Sequence, residues 1–423
     1  MNVIFITLSN INSIEERGIY PDLLRKFRDE GHKVCIVSPS ERRNGQRTHV
    51  NERNGVTILK VRTLNIQKTN VVEKGIGTLM IEGQFKRAIQ KHLGDVKFDL
   101  ILYSTPPITF TNVVRYLKKE NPQAISYLLL KDIFPQNAVD LGMLVASPIS
   151  FPKGIEIKTA LMNLPKYMLY RFFRNKEKRL YAQSDHIGCM SPANIKYVLK
   201  HNSEISPYKV ELAPNSYERR EQTVLTDAEY NAIREKYNLP TDRPIFIYGG
   251  NLGKPQGIPF LIQCLEANKN RNDCHFVIVG KGTEYKKLET WFKTNKPKNV
   301  TLFQTLPKRE YDHLVMVCNI GMIFLDYRFT IPNYPSRLLP YLMEKKPIIA
   351  ATDPNCDTGS LAEQNGYGFW CPSNDVQAFS RCVDKILKSN LVQMGENGYQ
   401  YFLNNYTVDH TYRAIVSHIN KHE

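Results

Sequence analysis

Apolar runs of β character alternate with helix-type segments along this chain, and they do so twice. The first series of strand-like runs covers residues 3–8, 32–38, 56–61, 100–104, 125–130 and 186–190, with a helical pattern near 23–30 closed by Gly31. The second covers 244–248, 275–279, 300–303, 320–324 and 347–351. Continuous apolar strands separated by helices specify parallel sheets covered on both faces, because a parallel connection needs a long crossover and that crossover is usually a helix. Between the series lies APNSYERREQ, residues 213–222, polar and carrying Pro214 and two adjacent arginines. At 423 residues the chain also exceeds what one core usually holds. The pattern therefore predicts an α/β protein of two Rossmann-like, doubly wound domains. The first spans 1–212, a linker follows at 213–225, and the second spans 226–402. A C-terminal helical stretch, 403–423, is expected to cross back to the first domain. Two such sheets are expected to face an interdomain cleft with their carboxyl edges, where ligands of this architecture bind.

Several classes are disfavoured at once. No window holds the roughly 20 apolar residues of a membrane span. The start, MNVIFITLS, reads as a first buried strand rather than a leader, so the expected location is the cytoplasm. The eight cysteines are scattered without a C-x-x-C pair, which fits reduced, buried thiols better than disulfides or zinc. Neither a metal nor a bound cofactor is expected. The net charge of +16 calls for an anionic partner. Nucleic acid is disfavoured, because no binding motif and no single basic stripe is evident. Between 153 and 200 there are ten Lys or Arg against Glu156, Glu177 and Asp185, interleaved with Leu161, Leu164, Tyr167, Met168, Leu169, Tyr170, Phe172 and Phe173. That mixture fits either a surface lying on anionic lipid, peripheral on the inner face of the membrane, or a helix with one core face.

The loops of the second series carry the chemistry. IFIYGGNLGKPQG, residues 245–257, ends a strand in glycines and leads through Asn251 and Lys254 to Gly257 ahead of an apolar segment. Glycine lets backbone approach a ligand, and a following helix N-terminus attracts anions. Gly280-Lys281-Gly282 follows the next strand as a turn. In IPNYPSRLLPY, residues 331–341, Ser336 and Arg337 open a helical segment, the serine as a cap and the arginine as a bidentate phosphate ligand. Asp357-Thr358-Gly359-Ser360 precedes another helix. Glycines, a lysine, an arginine and hydroxyls on successive loops suit a nucleotide diphosphate.

These residues resemble a known family. GGNLGKPQG, VGKG and the PSR segment before KKPIIAATD, with KDIFPQNAVDLG at 131–142, QSDHIGCMSPAN at 183–194 and ELAPNS at 211–216, look like bacterial family-four retaining glycosyltransferases of the GT-B fold. Within that family they resemble enzymes of capsule, O-antigen and exopolysaccharide biosynthesis. The resemblance implies a nucleotide-sugar donor, probed best as a UDP-sugar, with its diphosphate at Gly250, Asn251, Lys254, Gly257, Ser336 and Arg337. It implies a nucleoside near Gly280 and Gly282, and a donor-side loop at Asp357, Thr358 and Gly359. Asp132 and Asp357 are the implied catalytic carboxylates. The implied acceptor is a lipid-linked glycan. One departure stands out: two glutamates usual in the family, eight positions apart, are replaced by Pro332 and Pro340, leaving Asp357 and Glu344 as the nearest carboxylates. A UDP-sugar epimerase of the same fold is the alternative reading.

Overall fold

The computed structural model describes residues 1–66, 71–147, 157–221, 223 and 225–419. The chain divides into two compact units, Met1–Glu218 with Thr407–Glu423, and Arg219–Tyr406.

In unit 1 the strands are β1 (Asn2–Ile6), β2 (Lys33–Glu41), β3 (His49–Arg53), β4 (Val56–Thr63), β5 (Leu100–Ser104), β6 (Ile125–Leu130), β7 (His186–Cys189) and β8 (Val210–Leu212). They form one sheet in the order β3-β4-β2-β1-β5-β6-β7-β8. Every neighbouring pair is parallel except β3–β4. That hairpin turns at Asn54 and Gly55, with φ of 53° and 74°, the left-handed pair that a tight two-residue hairpin needs. The helices are α1 (Ile19–Asp29), α2 (Val71–His92), α3 (Thr111–Glu120), α4 (Gln136–Asp140), α5 (Ile157–Gln183) and α6 (Pro192–His201). Ile81, Phe85, Val114, Leu180 and Val198 bring α2, α3, α5 and α6 onto one face of the sheet. Leu24 and Phe27 of α1 cover the other. The strand order reverses between β1 and β5.

Unit 2 contains β9 (Ile245–Asn251), β10 (His275–Lys281), β11 (Val300–Phe303), β12 (Ile320–Phe324), β13 (Ile348–Thr352) and β14 (Gly368–Pro372), all parallel, in the order β11-β10-β9-β12-β13-β14. Around them pack α7 (Asp227–Lys236), α8 (Ile258–Asn268), α9 (Tyr285–Asn295), α10 (Lys308–Val317), α11 (Leu338–Met343), α12 (Thr358–Gln364), α13 (Val376–Leu387) and α14 (Leu391–Asn405). The order reverses between β9 and β12, which sets the glycine-bearing end of β9 at the crevice position of such a sheet. The chain then returns to unit 1 with α15 (Val408–Val416).

Residues 213–218, read from sequence as part of a polar linker, are packed into unit 1. Ala213, Asn215 and Ser216 are buried. Tyr217 bridges to Thr407, and the Tyr217 carbonyl accepts the Val408 N–H at 3.1 Å. Arg25 donates to both Glu218 carboxylate oxygens at 2.8 and 2.7 Å, and the Glu218 N–H donates to buried Asp22 at 3.1 Å. Of the remaining linker positions, 222 and 224 lie outside the described residues, as do 153–156 of the basic segment and 420–423 of the C-terminal stretch. No described helix is long and apolar enough to cross a membrane.

Candidate functional site

At the strand-order reversal of unit 2, the glycines are part of the strand rather than the loop after it. β9 runs on to Asn251 and stays in register with β10, pairing Gly249 with Val279, Gly250 with Gly280 and Asn251 with Lys281. A side chain on Gly280 would meet the Gly250 carbonyl oxygen, and one on Gly282 the Leu252 backbone. These two residues are therefore required by close backbone packing; of the turn expected at 280–282, Gly280 and Lys281 instead end β10, and the chain bends only from Gly282. Gly249 is filled from outside by the Tyr311 ring. Gly250 has φ of 123°, a conformation few side chains adopt. The loop that follows is pinned. The Asp326 N–H donates to the Pro255 carbonyl at 2.9 Å, and Gly257, at φ of 57°, lies against the Leu325–Asp326 backbone.

Helix α8 offers an anion less than the sequence suggests. Pro259 has no N–H, and the Phe260 N–H already donates to the Gly257 carbonyl at 2.9 Å. Likewise Ser336 does not cap: α11 begins at Leu338, with Arg337 in the capping position and no side-chain cap. What stands at this edge instead is the Arg337 guanidinium. It lies 4.4 Å over the Tyr248 ring, and a β-carbon on Gly250 would be 3.7 Å from it. Among the described residues its Nη1 is buried with no hydrogen-bond partner. Burial works against its charge, yet Tyr248, Tyr341 and Tyr311 hold its pKa above the usual arginine value. Tyr341 is fixed in turn, donating to the Ile247 carbonyl at 3.1 Å and accepting the Gly249 N–H at 3.3 Å. A buried, charged donor left unmatched is costly, and an anionic oxygen is the natural partner.

Asn251 and Lys254 are exposed at the rim. The Asn251 amide donates to Gln256 Oε1 at 3.0 Å, while the Lys254 ammonium makes no hydrogen bond or ion pair among the described residues. On the neighbouring strand end, Thr358 is buried and accepts from the Cys356 thiol, and Gly359 is packed under the Trp370 ring, where no side chain would fit. Asp357 occupies the capping position of α12 without a side-chain cap. Pro332 is buried before α11, Pro340 lies within it, and Glu344 ends it. Sequence reasoning passed over Asp353. It is fully buried at the end of β13; one oxygen accepts the Asn355 and Cys356 N–H groups at 2.9 and 3.0 Å, and the other has no partner among the described residues. Burial pushes its pKa up to about 7.

In unit 1, Asp132 follows β6, half-buried, and accepts from the Asn137 amide at 2.8 Å. Burial raises its pKa to about 6, against the hydrogen bonds from Asn137 and the Ile133 N–H. Thr105, at the end of β5, accepts the N–H groups of Lys131 and Asp132 at 2.9 and 3.1 Å. The Lys131 ammonium donates to the Ala213 carbonyl at 2.8 Å, and burial lowers its pKa to about 7.

Comparison with known proteins now bears on this geometry. Residues 229–401 match the family described as "Glycosyl transferases group 1". The chain carries a group 1 glycosyl transferase domain. The matched residues hold Tyr248, Gly250, Lys254, Arg337 and Asp357, so the aromatic-held guanidinium belongs to the glycosyl transferase domain. Among curated relatives, the probable glycosyltransferase WbjE of Pseudomonas aeruginosa is 21% identical over 275 residues. That match covers 63% of this chain and 61% of WbjE, less than two thirds of the relative's length. The putative colanic acid biosynthesis glycosyl transferase WcaI of Escherichia coli is 31% identical over 98 residues, 23% of either chain. Among solved structures, HepE of Anabaena in complex with UDP-glucose superposes with a TM-score of 0.66 at 11% identity, covering 100% of both chains. The last likeness shows the fold, GT-B as anticipated from the sequence.

Proposed function

We propose that this protein is a retaining glycosyltransferase of surface-polysaccharide biosynthesis, moving a sugar from a nucleotide diphosphate donor, most simply a UDP-sugar, to a polyprenyl-diphosphate-linked glycan. One observation carries the reading: the buried, unpartnered Arg337 donor beside Gly250 at the strand-order reversal of unit 2. The group 1 glycosyl transferase domain and the UDP-glucose bound by HepE support it.

In this reading Arg337 neutralises charge that develops on the leaving diphosphate, and its collar of tyrosines holds it ready before the donor arrives. Lys254 adds a second, solvent-exposed cation. Asp132, its pKa raised to about 6, is mostly ionised at neutral pH and can orient or deprotonate the acceptor hydroxyl. Its contribution falls away as pH drops through about 6. Asp357, on the loop before α12, is the second carboxylate, facing the donor sugar in place of the missing glutamates. The acceptor is held at the cytoplasmic face of an anionic membrane. No cofactor and no metal are invoked.

The test is a donor screen. The protein is incubated with UDP-sugars, with and without a polyprenyl-diphosphate glycan, and UDP release and the product anomer are followed. Acceptor-dependent release with an unchanged anomeric configuration is expected. Acceptor-independent release of free sugar would instead make this a UDP-sugar epimerase. No release from any nucleotide sugar would remove the proposal.

A further inference from the structure

The helices on one face of the unit 1 sheet differ greatly in length. α2 has 22 residues and α5 has 27, against 10 for α3. At a rise of 1.5 Å per residue these are about 33, 40 and 15 Å long. All three connect parallel strands and lie on the same face, so they run side by side in the same direction. Their alignment is fixed near one point. Glu82 of α2 accepts from the Lys176 ammonium of α5 at 3.0 Å and from the side-chain amide of Asn112, the second residue of α3, at 2.9 Å. Residues before 82 in α2 and before 176 in α5 therefore extend beyond the start of α3.

Large exposed apolar side chains are concentrated on these overhangs. Ile76, Leu79 and Met80 stand on α2, and Met162, Leu164, Met168, Leu169 and Phe172 on α5, with exposure reaching 70% at Met162. Lys166 and Arg171 are exposed among them. Where α2 passes α3, a groove of about 560 Å³ opens, with Leu79 at its edge and Lys86, Arg115 and Lys119 along it. Tyr116, Gln90 and Asn112 add a ring and two amides. Of its two acids, Glu82 is already matched by Lys176 and Asn112, and only Glu120 is left to oppose three cations. Lys86 lies 5.6 Å over the Tyr116 ring.

We propose that the α2–α3 groove is a binding site for the phosphate headgroup of an anionic lipid, with the overhanging ends of α2 and α5 set into the bilayer surface above it. A single soluble phosphate would not account for apolar residues at the rim, whereas a lipid offers phosphate and hydrocarbon at the spacing of one molecule. Exposed apolar side chains bordered by cations are the makeup of interfacial helices, and basic pockets between helices take anionic headgroups. The site deepens the membrane-held acceptor of the proposed function and rests on that part of it.

The experiment is flotation of the full chain with phosphatidylcholine vesicles, with or without phosphatidylglycerol. Binding should require phosphatidylglycerol. Lys86→Gln with Lys119→Gln should weaken it about 25-fold, at roughly fivefold per surface cation. Ile76→Ser with Leu79→Ser should weaken it without changing its dependence on lipid charge. Lys298→Gln with Lys388→Gln, exposed positions of unit 2, removes the same net charge and should bind like the parent. Circular dichroism confirms that each variant is folded. Equal loss in the control pair, no loss in the groove pair, or equal binding to neutral vesicles would each overturn the site. So would binding of glycerol phosphate in solution by a protein that ignores vesicles. UDP release measured with a detergent-dispersed polyprenyl-diphosphate glycan and no vesicles separates the outcomes: if it persists while vesicle binding fails, the groove is wrong and the sugar chemistry stands.

Discussion

Units 1 and 2 are built on one plan, a parallel sheet whose strand order reverses once, yet they use their surfaces in opposite ways. In unit 2 no helix exceeds the 15 residues of α14, and among its described residues only Tyr327 and Val392 are large, apolar and exposed. Its distinctive residues are small and tightly fitted: Gly249 under Tyr311, Gly280 and Gly282 against backbone, Gly359 under Trp370. Unit 1 instead extends two helices well beyond the start of α3 and leaves several large apolar side chains on them exposed. Under the proposed function, backbone closeness and a single held charge would serve a small polar ligand, while length and exposed hydrocarbon would serve an extended apolar one.

The sharpest way to break this contrast is at Arg337. Arg337→Ala should lower donor-dependent UDP release by about 10²–10³-fold, the usual cost of a preorganised donor to a developing anion. Arg337→Lys should recover only part, because an ammonium cannot reproduce the planar fork stacked on Tyr248. Unchanged turnover in the alanine variant would detach this edge from catalysis. Next in size is Gly282→Ala, expected to destabilise by about 2–3 kcal/mol in thermal or denaturant unfolding, through collision with the Leu252 backbone. A variant as stable as the parent would mean that the glycine serves a ligand and not the packing.

Asp353 gives a smaller, pH-dependent effect. Its folded pKa is raised, so its contribution to stability is fully present below the unfolded value and is lost as pH rises through about 7. Relative to Asp353→Asn, the parent should lose about 1–3 kcal/mol between pH 5 and pH 8. Parallel stability profiles for the two proteins would refute the buried acid. The smallest effect is expected at Lys254. Being exposed, it should cost about three- to tenfold in donor affinity when changed to Ala, and that cost should shrink with added salt. A salt-independent loss would place Lys254 closer to the donor than its exposure suggests.

Much of the fold could be read from residues alone because its strands are continuous apolar runs. Phe246-Ile247-Tyr248 and Val277-Ile278-Val279 can be little else once they alternate with helices. The misses have physical causes. β3, HVNER, is a polar edge strand, signalled only by the Asn54-Gly55 turn. β14, GFWCP, contains a glycine and ends in proline, both of which argue against a strand taken singly. The overhanging start of α2 carries Gly75 and Gly77, which mask its helical period. In the site, Arg337 could be singled out from the sequence, but its setting could not. Tyr248 and Tyr311 come from β9 and α10, and only Tyr341, one helical turn on, could have been paired with it by spacing. The second glycine pair was legible as glycine but not as packing, since Gly250 and Leu252 reach Gly280 and Gly282 only through strand register.

The Tyr217–Thr407 bridge has one more consequence. Because the two chain segments that leave and re-enter unit 1 are paired there, residues 219–406 form an insert whose ends are already neighbours. During synthesis the insert is complete once Tyr406 has emerged. Unit 1 must wait for α15, whose Ile415 and Tyr412 fill the face beside Phe27. Unit 1 begins first in the chain and is thus closed only after the insert is complete, because α15 follows Tyr406.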